Sequence, residues 1–199
     1  MKNLVLATRN RGKLVEIRDL LDIPDVKLTS LADWAGAPNT DESGATFEEN
    51  AVLKAVDAAK FTGQIALADD SGLCVDALGG APGVLSARYG GPGLDDVGRY
   101  RALLEALRDV PDAERGARFV CVVALAKPDG EVHTEYGEIE GVIAREPAGS
   151  SGFGYDPVFF VPKMGCTVAQ LSTVSKNEVS HRAIAIRKAA PIIRGLLNA

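Results

Sequence analysis

The sequence predicts an α/β fold built on a mixed β-sheet. Three observations carry that expectation. Short apolar runs that read as strands alternate with segments of helical periodicity. Two neighbouring apolar segments around Pro128-Asp129-Gly130 read as a hairpin. No repeat, low-complexity tract or linker divides the 199 residues, so they are read as a single domain, 1–199, long enough for a substantial core.

In chain order, residues 2–8 read as a short buried strand. A helix follows over about 13–21, with Leu14, Ile17, Leu20 and Leu21 at helical spacing. Thr46-Phe47-Glu48-Glu49 has the form of a capping box, a hydroxyl at the cap and a carboxylate three residues on. A helix is therefore expected over 47–61, stopped by Gly63. Ile65-Ala66-Leu67-Ala68 reads as a second short strand, ended by an acidic turn, Asp69-Asp70-Ser71-Gly72. Residues 79–93, rich in Gly and Pro, read as a shaped loop, and 95–107 as an amphipathic helix. Residues 119–127 and 131–140 form the hairpin, continued as strand over 141–144. A second glycine-rich loop over 149–157 precedes a strand at 158–161. The last helix starts near Ser180, with Pro191 kinking or interrupting it.

Composition narrows the function. Hydrophobic residues make up 46% and charged residues 25%, as in ordinary globular proteins. The longest apolar run, 119–126, is far too short to span a bilayer, and the N-terminal apolar stretch is too short for a secretory leader. No membrane role is expected. Cys74, Cys121 and Cys166 form no CxxC pair, so neither zinc nor a disulfide framework is indicated, and a cytoplasmic location is the simplest reading. The net charge of −5 argues against nucleic-acid binding, which needs a basic surface. The charge is uneven: Asp41, Glu42, Glu48 and Glu49 form an acidic stretch, whereas Lys176, Arg182, Arg187, Lys188 and Arg194 make the end of the chain basic. That distribution suits a metal-bridged polyphosphate as well as two solvated faces.

Four polar clusters interrupt the apolar pattern. Thr8-Arg9-Asn10-Arg11-Gly12-Lys13 opens the first helix, where backbone N–H groups and a lysine make an anion site; a plain helix cap is the alternative. Asn50 and Lys54, four apart, share a helix face with Glu42 nearby, either at a site or on a solvated surface. In Asp69-Asp70-Ser71-Gly72, two carboxylates end an apolar strand, where burial is costly without a cation. Mg²⁺ prefers one or two carboxylates plus water and phosphate oxygens, and one carboxylate could take a proton from water; an Asx-type turn is the alternative. The fourth cluster combines Gly152-Phe153-Gly154-Tyr155-Asp156-Pro157 with Lys176 and Ser180-His181-Arg182. Phe153 offers a flat face to a base, and the polar residues offer donors and acceptors for its edges; a core anchor and a helix cap are the alternatives. No GxSxG elbow, Walker A loop or GxGxxG after the first strand is present.

Together these segments, with Glu42-Ser43-Gly44-Ala45-Thr46-Phe47-Glu48-Glu49-Asn50-Ala51, Pro82-Gly83 and Ser86-Ala87-Arg88-Tyr89, resemble the inosine triphosphate pyrophosphatase family in order and spacing over nearly the whole chain. The resemblance implies a two-lobed α/β fold with a long central mixed sheet flanked by helices, a substrate cleft between lobes, and a homodimer. It implies Mg²⁺-dependent hydrolysis of ITP, dITP and XTP to the monophosphate and pyrophosphate, clearing deaminated purine nucleotides from the pool. By position, Thr8, Asn10, Lys13 and Lys54 would hold the triphosphate. Glu42 and Asp70 would hold Mg²⁺. Asp70 would activate water, supported by Asp69, and Ser71 would lie against the substrate. Phe153 would stack on the purine in the loop that includes Gly154 and Tyr155, and Asp156, Lys176, His181 and Arg182 would line the base pocket. Arg9 is given no role. A non-catalytic purine nucleotide sensor on the same fold is the main rival, and an RNA-binding protein or nuclease a weaker one.

Overall fold

The computed structural model describes residues 2–21, 23–24 and 26–198. Its elements run β1 (Lys2–Leu6), α1 (Arg11–Leu20), β2 (Val26–Ser30), α2 (Phe47–Thr62), β3 (Ile65–Val75), α3 (Asp96–Ala106), β4 (Gly116–Ala126), β5 (Val132–Ile143), β6 (Phe159–Val161), β7 (Cys166–Thr167), α4 (Thr173–Val179) and α5 (His181–Asn198). The strands form one sheet in the order β2-β1-β3-β4-β5-β6-β7. β1 pairs in parallel with β2 and β3, whereas β6 is antiparallel to β5 and β7, so the expected mixed sheet is present. Among the described residues no helix is long and apolar enough to cross a membrane.

The chain divides into two compact units. The first comprises Met1–Asp70, Cys121–Gly137 and His181–Ala199, the second Ser71–Val120 and Glu138–Ser180. In the first unit the period-2 alternation of the strands sorts side chains onto two faces. Leu4, Leu6, Leu67, Cys121, Val123 and Leu125 pack with Ile17 of α1 and Ala185, Ile186, Ala189 and Ile193 of α5. Their neighbours in sequence, Val5, Ala7, Ala66, Ala68, Val122, Ala124 and Ala126, pack on Ala51, Ala55, Ala58 and Ala59 of α2. With both faces covered by helices, the strands read as continuous apolar runs rather than as alternating ones. In the second unit Leu73, Val75, Ala117, Ile143 and Val158 pack with Leu103 of α3 and with Phe119 and Phe159, whose rings are 4.5 Å apart.

Several elements depart from the sequence expectations. The acidic turn is not a turn: β3 continues through Asp69-Asp70-Ser71-Gly72 to Val75. The strand does not have to end where the charges begin, because lysine and arginine side chains neutralise them in place. α1 starts at Arg11 because Asn10 is its N-cap. β2, β7 and α4 were not anticipated. α5 runs unbroken through Pro191, which is exposed. The capping box is as expected: Thr46 Oγ1 accepts from Glu49 N, Glu49 Oε2 accepts from Thr46 N, and Gly63 closes α2 at φ +64°.

Candidate active site

Asp69 and Asp70 are consecutive residues of a strand, so they point to opposite faces. Asp69 lies on the face covered by α1 and α5. It is 1% exposed, and Oδ2 is 3.0 Å from Lys13 Nζ and accepts from Arg182 Nε and Nη2 at 3.2 and 3.1 Å. The Cys121 thiol approaches the same oxygen at 3.9 Å. Asp69 Oδ1 has no hydrogen-bond partner among the described residues. Arg182 Nη1 donates to Glu16 Oε2 on α1, which makes a buried row of alternating charges, Lys13-Asp69-Arg182-Glu16. Burial alone would raise the Asp69 carboxyl; the charges of Lys13, Arg182 and Lys54 outweigh it and hold the group below the usual carboxylate range. Burial, reinforced by Asp69, pushes the Cys121 thiol up to about 12.

Asp70 lies on the α2 face. Lys54 Nζ donates to Asp70 Oδ1 at 2.7 Å and to Glu42 Oε1 at 3.0 Å, so one ammonium bridges the two carboxylates. Asn50, one turn before Lys54, holds the segment that presents Glu42: its Oδ1 accepts from Gly44 N at 2.8 Å and its Nδ2 donates to Gly44 O. A Cβ on Gly44 would come within 2.7 Å of that oxygen, so this backbone approach needs glycine. Burial raises the Asp70 carboxyl above its ordinary value, against the pull of Lys54. Lys54 itself is raised: burial works against its charge, but Asp70, Asp69 and Glu42 together prevail.

Thr8, Asn10 and Lys13 share the start of α1. Asn10 Oδ1 accepts from Lys13 N at 3.1 Å, and Thr8 Oγ1 accepts from Asn10 N at 3.2 Å. Helix-start amides and the Lys13 ammonium thus lie together in the first unit, the donor set an anion requires. Arg9 donates instead to the carbonyls of Ala37 and Pro38.

The second unit holds the Phe153 loop. Lys176 Nζ is 2.5 Å from Asp156 Oδ2 and 5.0 Å from the centroid of the Phe153 ring, a cation–π distance. Phe153 N donates to the same Asp156 oxygen at 3.0 Å. Gly152, at φ +80°, passes so close that a Cβ would be 2.0 Å from that oxygen. Gly154 N donates to Asp96 Oδ2. Tyr155 is buried, and its hydroxyl donates to Ser86 O at 2.8 Å, which makes it an anchor of the loop.

The structure therefore brings Thr8, Asn10, Lys13, Asp69 and Arg182 together, joins Glu42, Lys54 and Asp70, and joins Phe153, Gly154, Tyr155, Asp156 and Lys176. Ser71 follows Asp70 in β3 and begins the second unit. His181 and Arg182 open α5 in the first unit. Arg182, expected as a donor to a base edge, commits three guanidinium nitrogens to Asp69 and Glu16. Sequence reasoning gave no site role to Glu16, Cys121, Ser86 or Asp96. Glu16 alone carried a signal, three residues after Lys13 on the same helix and so on its face.

The residues present fit Mg²⁺. Glu42 and Asp70 supply hard oxygen donors that already share one cation, the Lys54 ammonium. Among the described residues no group of three or more His, Cys, Asp or Glu could hold a metal unaided. Mg²⁺ characteristically takes one or two carboxylates and completes its shell with water and phosphate oxygens.

The chain is similar to known proteins over nearly all of its length. The Ham1 family profile matches residues 4–192. A protein of Desulforamulus reducens named dITP/XTP pyrophosphatase is 50% identical over 97% of this chain and 96% of its own length. One of Geobacter sulfurreducens with the same name is 52% identical over 94% of each chain. The solved structure of a HAM1 protein from Coxiella burnetii superposes with a TM-score of 0.89 at 43% identity, covering 98% of this chain and all of that one. The Staphylococcus aureus Ham1 protein gives 0.88 at 40% identity, again over 98% of this chain. With coverage this complete at this identity, the chain belongs to the Ham1 family.

Proposed function

We propose that this protein is a nucleoside triphosphate pyrophosphatase that hydrolyses deaminated purine nucleotides, ITP, dITP and XTP, to the monophosphate and pyrophosphate. The observation that carries the chemistry is the Glu42–Lys54–Asp70 group, a carboxylate pair on one cation. Family membership and the names of its relatives support the substrate class.

Asp70 is suited to draw a proton from water, since burial raises its carboxyl and makes it a stronger base than an exposed aspartate. Attack of that water on the α-phosphorus expels pyrophosphate. Lys13, the start of α1 and Lys54 offset the charge of the chain of phosphates. Mg²⁺, held by Glu42 and Asp70, would supply charge neutralisation of the phosphate oxygens. Asp69 is read as a positioning residue: fully buried, it holds Lys13 and Arg182 and does not meet substrate. Phe153 stacks on the purine, with the Lys176 ammonium as donor to a 6-oxo group. A 6-amino group there would set donor against donor in place of that hydrogen bond, at about 1–3 kcal/mol, enough for ~10-fold to 10²-fold discrimination. Thr8, Asn10, Ser71 and His181 complete the proposed substrate contacts. A homodimer and a cytoplasmic location belong to the same reading; the three cysteines, all free, are compatible with a reducing compartment.

The test is pyrophosphate release from ITP, XTP, dITP, GTP and ATP, with and without Mg²⁺. Release from the deaminated nucleotides far above that from ATP and GTP, only with the metal, is expected. Orthophosphate as product, or indifference to the base, would refute the reading, and tight nucleotide binding without turnover would leave a sensor in its place.

A further inference from the structure

The Gly152–Asp156 loop is held from three directions within the second unit. Phe153 N donates to Asp156 Oδ2 at 3.0 Å, the Tyr155 hydroxyl to Ser86 O at 2.8 Å, and Gly154 N to Asp96 Oδ2 at 2.8 Å. The side chains that make the first two anchors, Asp156 and Tyr155, are 4% and 5% exposed. The third comes from outside the loop and 58 residues earlier in the chain, from a side chain that is 49% exposed.

Asp96 is not needed to cap its own helix. Asp95 does that, its Oδ1 accepting from Gly98 N at 2.8 Å. Asp96 Oδ1 takes Arg99 Nη1 at 2.9 Å, which leaves Oδ2 to reach the loop. The location of that bond matters. The amides of Phe153 and Gly154 lie on either side of the Phe153 Cα, so fixing both N–H directions fixes both backbone torsions of Phe153 and with them the direction in which its side chain leaves the backbone. Gly154, at φ +63°, has little intrinsic restraint of its own. Without Asp96 the following peptide plane is held only through its carbonyl, where Phe153 O accepts from Asp156 N at 3.3 Å, and the backbone beneath the ring loses its shorter support.

We propose that Asp96 is a positioning residue for the side chain that meets the base: by accepting from Gly154 N it sets the Phe153 ring for substrate. The inference rests on the reading of Phe153 as the stacking residue.

The test compares wild type, Asp96→Ala, Asp96→Asn, Phe153→Ala and the Asp96→Ala/Phe153→Ala double variant in steady-state hydrolysis of ITP with Mg²⁺, with thermal melting of each. One hydrogen bond of this kind corresponds to between about two- and tenfold in binding. Asp96→Ala is expected to raise KM by that factor, with kcat within about twofold. Asp96→Asn, whose amide oxygen still accepts from Gly154 N, should restore most of the loss. In the Phe153→Ala background the Asp96 change should add nothing, because the ring it positions is gone. Impaired Phe153→Ala beside an unchanged Asp96→Ala overturns this inference and leaves the stacking reading intact. Equal damage in Asp96→Ala and Asp96→Asn at matched stability, or additive losses in the double variant, assigns Asp96 to its helix and also overturns it. An unchanged Phe153→Ala removes the stacking reading and this inference with it.

Discussion

Asp69 and Asp70 are chemically identical neighbours with opposite environments, and the difference is one of strand parity. Asp69 faces Lys13 and Arg182, which hold it below the usual carboxylate range; Asp70 faces Lys54 and Glu42, and burial raises it above its ordinary value against the pull of Lys54. Asparagine at the two positions should therefore fail differently. Asp70→Asn is expected to abolish turnover while nucleotide binding stays measurable by calorimetry. Asp69→Asn leaves two buried cations without their shared anion and should cost about 3 kcal/mol of folding stability. Its pH dependence follows from the depressed carboxyl. The stabilisation from Asp69 is fully present above the unfolded carboxylate range, near pH 4, and is lost as pH falls through that range toward the lower folded value. Denaturant titrations between pH 6 and 3 should show the gap between wild type and Asp69→Asn narrowing on acidification; a constant gap would show that the carboxylate charge is not what Asp69 contributes. The sequence displayed both carboxylates but not this division, because a strand thought to end at Ala68 has no faces to assign beyond it.

At the scale of elements, α5 brings His181 and Arg182 to the site, and β5 determines how close it can come. Gly137 lies against its first turns: a Cβ there would be 2.2 Å from His181 O and 2.6 Å from Ala185 N. Both contacts are backbone, so neither can swing aside, and the cost of overpacking must be met by displacing α5. Gly137→Ala should lower stability by about 2 kcal/mol or more and shift the Arg182–Asp69 contact, with a fall in kcat/KM to match. A melting temperature equal to that of wild type would mean that the two elements separate freely. Which elements were legible follows local chemistry. α2 was, because Thr46, Glu49 and Gly63 mark both ends. β2 was not, since its Val-Lys-Leu-Thr-Ser carries few apolar residues, nor was β7, with only Cys166 and Thr167. α4 is seven residues long, too short for its periodicity to register, although Ser172 caps it. The candidate site was more legible than the fold around it, since its segments are runs of polar residues inside apolar sequence. Asp96 was not legible because its partner, Gly154, is distant in sequence, and Glu16 was marked only by its spacing from Lys13, since its partner Arg182 is distant too.

For the whole molecule, the net charge of −5 says little about where charge is costly. The costly charges lie inside, and the chain neutralises them with its own lysines and arginines, so the folded state does not depend on a metal to balance Glu42 and Asp70. That independence is assigned here to a single residue and can be removed. In Lys54→Gln the two carboxylates face one another without the ammonium that joins them. Glu42 already disfavours ionised Asp70 with the lysine present, and the repulsion grows without it. In a chelator the variant should melt below wild type, by about 2 kcal/mol, less than for a fully buried pair because Glu42 is partly exposed. Mg²⁺ then meets the two carboxylates without competition from the Lys54 ammonium, which in wild type it must displace. A ligand at about 100 times its Kd stabilises by roughly 2.7 kcal/mol, enough to close the gap. The expected result is a larger Mg²⁺-induced rise in melting temperature for Lys54→Gln than for wild type, with no nucleotide present. Equal shifts in the two proteins would mean that Lys54 and the metal do not compete for Glu42 and Asp70, and that the ammonium serves the phosphates alone.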